Sequence, residues 1–175
     1  MLTSRLPDKV EPYKLAARAE HLEGLMSLDG FARLADAVGP QSGDSRVWLD
    51  FGVDDQGQRE IRGRLEADLQ LPCRRCLFPM AQQVESEFLL GMVTSDALAT
   101  ELPSTHEPVV VENEQLSLLT VIEDELILSL PQVVYHDEAD CRVSRDQLSS
   151  GAEAEQSVGP PTSPFEVLKR LKGKS

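Results

Sequence analysis

Between Ile61 and Leu71 the chain alternates without a fault. Ile61, Gly63, Leu65, Ala67, Leu69 and Leu71 interleave with Arg62, Arg64, Glu66, Asp68 and Gln70. A strict period of two, with one set apolar or small and the other polar, marks a strand with one face on a core and one in water. A helical period of 3.6 would scatter both sets around the axis. Upstream, Val47, Leu49, Phe51 and Val53 keep the same period, and DDQG at 54–57 supplies a turn. Downstream of LPCRRC at 71–76, Met80, Val84, Phe88 and Leu90 resume it. A hairpin centred on Arg74-Arg75 sets Leu65 opposite Val84 and Ile61 opposite Phe88. On the other face it sets Arg64 opposite Glu85 and Arg62 opposite Glu87, so one register satisfies both faces.

The rest of the chain reads as helices and loops around that sheet. Residues 11–38 are expected to be helical in two pieces broken near Gly24, the second starting at Ser27 as N-cap and ending at Gly39-Pro40. Residues 94–107 read as a loop, and Val109–Val111 as a short strand. LSLLTVIEDELILSLP, 116–131, is apolar over most of a helical wheel, which predicts a largely buried helix stopped by Pro131. Glu125 falls on an apolar arc of that helix, where a carboxylate needs a donor or a raised pKa; an arginine of the sheet is the expected partner. The fold class is therefore α+β: an antiparallel meander, able to close towards a barrel, packed with a buried helix, with N-terminal helices and a flexible C-terminal tail. Residues 1–143 form the expected domain and 144–163 a Gly/Pro-rich flexible linker. Residues 164–175 form a short basic helix, with Phe165, Leu168 and Leu171 on one side and Lys169, Arg170 and Lys172 in its last turns. That helix either docks on its own domain or serves as an arm for a partner.

Charge is unevenly placed. The net charge is −13, and from Cys76 to Cys141 there are 13 acidic residues and no Lys or Arg, leaving 17 of each sign elsewhere. The plainer reading is a solvated acidic face; the sharper one is a surface matched to a basic partner, with exposed acids such as Glu112 and Glu114 in contact. Non-specific grip on nucleic acid is disfavoured, because phosphates call for clustered cations. The N-terminus shows no apolar signal segment and no apolar run approaches the ~20 residues of a membrane helix, so a cytoplasmic protein is expected.

The chain has three cysteines, which in that compartment read as thiols or ligands. Cys73-x2-Cys76 is followed by a strand and not by a helix, so the dipole that activates a redox C-x-x-C is missing. With His136 and Cys141 from HDEADC it makes a Cys3His set suited to zinc; Asp137, Glu138 or Asp140 could replace His136, and the alternative is three unmetallated cysteines at a sheet edge. Enzymatic signatures are absent: no phosphate loop, no H-E-x-x-H, no G-x-S-x-G. His21 and His106 read as surface histidines. Glu123, Asp124 and Glu125 point about 100° apart in succession on a helix, which counts against a nuclease metal site.

LPCRRCLFPM, ELPSTHEPVVVE, VIEDELILSLPQVVYHDEADC and PFEVLKRLK, in that order, resemble the bacterial YceD family, known as large ribosomal RNA subunit accumulation protein. The resemblance runs over nearly the whole chain. It implies a role in the synthesis, processing or stability of large-subunit (23S) rRNA and brings no catalytic residues. Some relatives carry a fuller cysteine cluster after the buried helix, where this chain has Cys141 alone. Combined with the acidic charge, it implies a non-enzymatic factor whose partners are large ribosomal subunit components, a basic ribosomal protein and/or the 23S rRNA precursor, with no membrane and no small-molecule substrate. Two alternatives remain: an RNA-binding protein using Arg62, Arg64, Arg74 and Arg75 with the C-terminal arm, or an rRNA-processing nuclease.

Overall fold

The computed structural model describes residues 4–144 and 147. Five strands form one sheet: β2 (His21–Ser27), β3 (Asp44–Val53), β4 (Arg59–Pro72), β5 (Pro79–Val93) and β6 (Glu107–Val110), in that spatial order. All neighbours are antiparallel except β5 and β6, which run parallel. No ladder joins β2 to β6, so the sheet is mixed and open. A small second ribbon pairs β1 (Lys9–Val10) with β7 (Leu116–Ser117). The helices are α1 (Pro12–Ala17), α2 (Ala32–Val38), a one-turn α3 (Asp96–Ala99) and α4 (Leu118–Leu128).

The core follows from the two periods. Val47, Leu49, Phe51, Ile61, Leu65 and Leu69, all inward on the sheet, are buried against Leu118, Ile122 and Leu126, an i, i+4, i+8 stripe of α4. Each such side chain contributes roughly 1.5–3 kcal/mol by leaving water. Ser117 caps α4 by accepting the Thr120 N–H.

The expected hairpin register is corrected by two residues. Arg64 lies opposite Glu87, Leu65 opposite Ser86 and Ile61 opposite Leu90. The turn is wider than a centre at Arg74-Arg75 allows: Pro72 faces Pro79, and the loop between them closes through Cys73 N–H to Phe78 O (2.9 Å) and Leu77 N–H to Cys73 O (2.8 Å). A two-residue slip leaves every side chain on its original face, so alternation alone cannot distinguish the two registers. The Arg64–Glu85 ion pair survives as a diagonal contact of 3.9 Å, but Arg64 bonds Glu66 more closely, at 2.6 Å.

The N-terminal segment differs too. Residues 21–27 are a strand and not part of a helix, and Gly24 sits inside it. A Cβ at Gly24 would come within 2.7 Å of the Ser4 carbonyl oxygen, because residues 4–6 run alongside the strand there, with Arg5 bridged to Leu25 in parallel. Ser27 precedes a 3-10 turn, and the N-cap of α2 is Phe31, which offers no side-chain acceptor. The acceptor comes from α4: the buried carboxylate of Glu123 takes the N–H groups of Arg33 (2.6 Å) and Leu34 (3.1 Å), and Arg33 Nε closes on it at 2.9 Å. Glu123 thus caps α2 across the core.

Glu125, one residue on, points elsewhere. The expected sheet arginine is absent; Glu123 has the arginine, and it comes from α2. Burial, with Glu107 and Asp124 nearby, pushes the Glu125 carboxyl up to about 7 against a weaker opposing hydrogen bond with Ser86. Between its unfolded value near 4.5 and about 7, the folded chain holds a proton that the unfolded chain releases. This contribution to stability is therefore complete below the unfolded value and lost as pH rises through about 7. Urea unfolding should show wild type losing ~1–2 kcal/mol more than Glu125→Gln between pH 5 and 8. Parallel pH profiles for the two proteins would refute the assignment.

Candidate metal centre and acidic surface

The structure brings Cys73, Cys76, His136 and Cys141 together at the tip of the β4–β5 hairpin. One ligand atom from each lies within 4.8 Å of all the others. Local geometry explains why. The hairpin loop turns both thiols to one side, with Leu77 held at φ +62°, a left-handed conformation costing a leucine about 1–2 kcal/mol. The chain after α4 then runs back past the tip, where the Arg74 N–H donates to Val134 O at 2.9 Å. That bond presents His136, whose Nδ1 stands 3.3 Å from Cys76 Sγ. A one-turn reversal, with Cys141 N–H on Asp137 O at 3.0 Å, returns the third thiol.

Two features suit such a cluster to a metal. The first is electrostatic. Burial raises the Cys73 thiol, but the N–H groups of Cys76, His136 and Arg75 outweigh it and bring the group down to about 5, so a thiolate is favoured. Cys76, for which burial dominates, is held above its usual value. The second is donor chemistry: around zinc with bonds near 2.3 Å, tetrahedral ligand atoms stand about 3.8 Å apart, and three sulfurs with one imidazole are a standard structural set. The four ligand atoms, all within 4.8 Å of one another, stand close enough for one ion to bridge them. Of the alternative carboxylates, Asp137, Glu138 and Asp140 are all exposed and none joins the cluster.

Arg75 was expected to face a partner, but it is turned inward. Its guanidinium donates from Nε to Cys141 Sγ (3.0 Å) and to the His136 carbonyl (2.9 Å), and only 8% of the side chain is exposed. It places a cation beside the thiols and locks the 136–141 segment to the hairpin. Nothing in the C-R-R-C spacing distinguishes the two arginines; Arg74 is the exposed one. Arg62 and Arg64 lie on the outer sheet face but are met by Glu60 and Glu66.

His106 is also corrected. Its side chain is only 6% exposed, with Nε2 3.0 Å from Glu60 Oε2 and Nδ1 on Thr105. Asp54 completes a second group with metal-ligand spacing, but Arg62 already holds the other oxygen of Glu60, and Asp54 accepts the Gln56 and Gln58 N–H groups of its own turn. Protein partners satisfy these atoms. His21 is exposed, on Asp50.

The acidic span keeps its charge. Among the described residues, Arg33 meets Glu123 and Asp124, Arg64 approaches Glu85, and Arg75 approaches Glu138. Glu87, Asp96, Glu101, Glu107, Glu112, Glu114, Asp137 and Asp140 are exposed and in no ion pair there. Glu112 and Glu114 flank the turn that joins β6 to β7. Lys169, Arg170 and Lys172 lie outside the described residues, as do the expected C-terminal helix and nearly all of the linker. No helix of the described residues is long and apolar enough to cross a membrane.

Comparison with known proteins agrees with the resemblance. The family model of the large ribosomal RNA subunit accumulation protein YceD matches residues 61–172. The chain belongs to the YceD family. A relative named large ribosomal RNA subunit accumulation protein YceD, from Haemophilus influenzae, is 36% identical over 171 residues, covering 97% of this chain and 98% of that protein. No solved structure matches. The family model reaches back to β4 and so spans the hairpin, its cysteines and the returning 136–141 segment.

Proposed function

We propose that this chain is a non-enzymatic factor for large ribosomal RNA subunit accumulation, acting in the cytoplasm by holding a basic ribosomal protein while the 23S rRNA precursor matures. Family membership supports the process. The acidic surface, unneutralised among the described residues, carries the mode of action: eight exposed carboxylates without ion pairs attract a basic protein and repel phosphate. A nuclease centre on α4 is disfavoured, since Glu123 and Asp124 are bound to Arg33. One zinc ion held by Cys73, Cys76, His136 and Cys141 fits this reading as a structural cross-link that fixes the hairpin tip. The reading also keeps residues 1–143 as the working domain, 144–163 as linker and 164–175 as a basic arm.

The test is binding of the purified full chain to individual large-subunit ribosomal proteins and to 23S rRNA fragments, across a salt series, beside a cleavage assay. Affinity for one or more basic proteins should fall with salt, and Glu112→Gln with Glu114→Gln should slow association. Replacing Lys169, Arg170 and Lys172 should matter less. The opposite ranking, with the arm and exposed Arg74 dominant, would transfer the function to direct RNA binding; cleavage of rRNA would make it an enzyme.

A further inference from the structure

Between β6 and α4 runs a groove that the fold leaves open. Cavities of about 510 Å³ and 210 Å³ share Pro108, Val109, Val121 and Asp124, and so lie side by side along it. The outermost strand of the sheet makes one wall; β7 and α4 make the other. Its floor is aliphatic, and at the narrow end Leu128 stands 72% exposed on the last turn of α4. Its rim is acidic. Glu107 and Glu112 line it from the sheet side, and the buried Glu125 from α4. Asp124 also lines it, with its charge already met by Arg33. The one cation lining either cavity is Lys9, in the wide part away from Glu107 and Glu125.

We propose that this groove seats a basic, aliphatic segment of a protein partner, one of whose lysine or arginine side chains lies between Glu107 and Glu125 while a neighbouring aliphatic side chain covers Leu128. The assignment rests on the reading above, that the partner is a basic protein, and it names the place on the surface. Charge complementarity carries it. Two acidic side chains, exposed Glu107 and buried Glu125, face the narrow end without a basic side chain of the described residues opposite, and a cation arriving on the apolar floor meets Glu107 and favours the ionised form of Glu125. The floor also selects the kind of partner. Leu128, Val109 and Val121 give an aliphatic side chain area to bury, whereas a phosphate backbone would meet only apolar surface and like charge.

The experiment uses the full chain, with total protein extracted from large ribosomal subunits and freed of RNA as probe. Glu107→Gln with Glu125→Gln should weaken retention of basic proteins about tenfold, equivalent to 1.4 kcal/mol. Glu87→Gln with Glu101→Gln, which removes two exposed carboxylates of the same acidic span away from the groove, should change it about twofold at most. Leu128→Glu, an exposed change, should weaken it as the groove pair does. Melting curves confirm that each variant folds. A zero-length carbodiimide should join partner lysines to Glu107 or Glu112. Equal losses for the two pairs would leave a diffuse field and overturn the seat. So would cross-links that run instead to Lys169 or Lys172 of the same chain, which would put its own tail in the groove. If the unmodified chain retains no basic protein, the proposed function falls and the seat with it; retention indifferent to the groove variants overturns the seat alone.

Discussion

Cys73→Ser should abolish binding of one zinc equivalent and lower the melting temperature by roughly 10–15 °C. The magnitude comes from chain topology. Cys76 and His136 are 60 residues apart, and α4 with its flanking turns lies between them. Apart from the cluster, the Arg74–Val134 bond and the Arg75 contacts are the main polar ties between the hairpin tip and the returning segment. A cross-link closing a loop of that length is worth about 4 kcal/mol by chain entropy. At about 2–4 °C per kcal/mol for a domain of this size, that is the expected shift. The buried Cys73 is the informative position, because three backbone N–H groups favour its thiolate and a serine hydroxyl would meet the same donors without becoming a comparable zinc ligand. A chelator should lower the melting temperature of wild type by a similar amount and leave Cys73→Ser nearly unmoved, since both remove the same cross-link. Asp140→Asn, outside the cluster, should do neither. Protein purified without metal, whose melting temperature is changed neither by added zinc nor by Cys73→Ser, would end the zinc assignment.

How the candidate site became legible before the fold was known depends on which chemistry leaves a mark in one dimension. The four ligands did, because sulfur and imidazole donors are few here and C-x-x-C has a short list of uses. The faces of β3, β4 and β5 did, because alternation fixes the face of each residue. It does not fix the partner across the ladder, which is why a register two residues away kept every residue on its face and still set Leu65 against Val84, where Ser86 stands, and Arg64 against Glu85. The strand His21–Ser27 was missed because Gly24 and Met26 fit a broken helix as well as an edge strand. What decides it is pairing with chain outside the segment, β3 on one side and the Arg5 bridge to Leu25 on the other. Glu123 and Glu125 are the sharper case. Both are buried on one helix, and only the position of the α2 N-terminus decides which receives Arg33 and two N–H groups, and which is left among carboxylates. The inward turn of Arg75 is hidden in the same way, since nothing in C-R-R-C says which arginine points at the thiols.

Gly63→Ala should be among the most damaging single-methyl additions in the chain, and the reason lies across one ladder. Gly63 interrupts an otherwise bulky inward row of β4, and its direct partner on β5 is Phe88. The phenyl ring lies over the glycine so closely that a Cβ there would stand 2.0 Å from Cζ and 2.1 Å from Cε2. Both distances are far inside van der Waals contact, so the ring must leave or the strands must part. Gly63 is not among the glycines with positive φ, so alanine is acceptable to the backbone and would by itself be favoured in a strand. The whole cost therefore comes from the ring. Overpacking of this kind costs about 1–3 kcal/mol, and the upper end is expected because Phe88 is buried and three of its ring atoms lie within 2.7 Å of the new Cβ. Phe88→Ala alone should cost about 3–5 kcal/mol through the cavity it opens. In the double variant the new methyl enters space the ring has vacated, so the two costs should fall short of their sum by about 2 kcal/mol. Urea unfolding of the four proteins measures that difference directly. Additive costs would mean that the ring does not rest on Gly63, and the close packing of β4 against β5 at this point would have to be withdrawn.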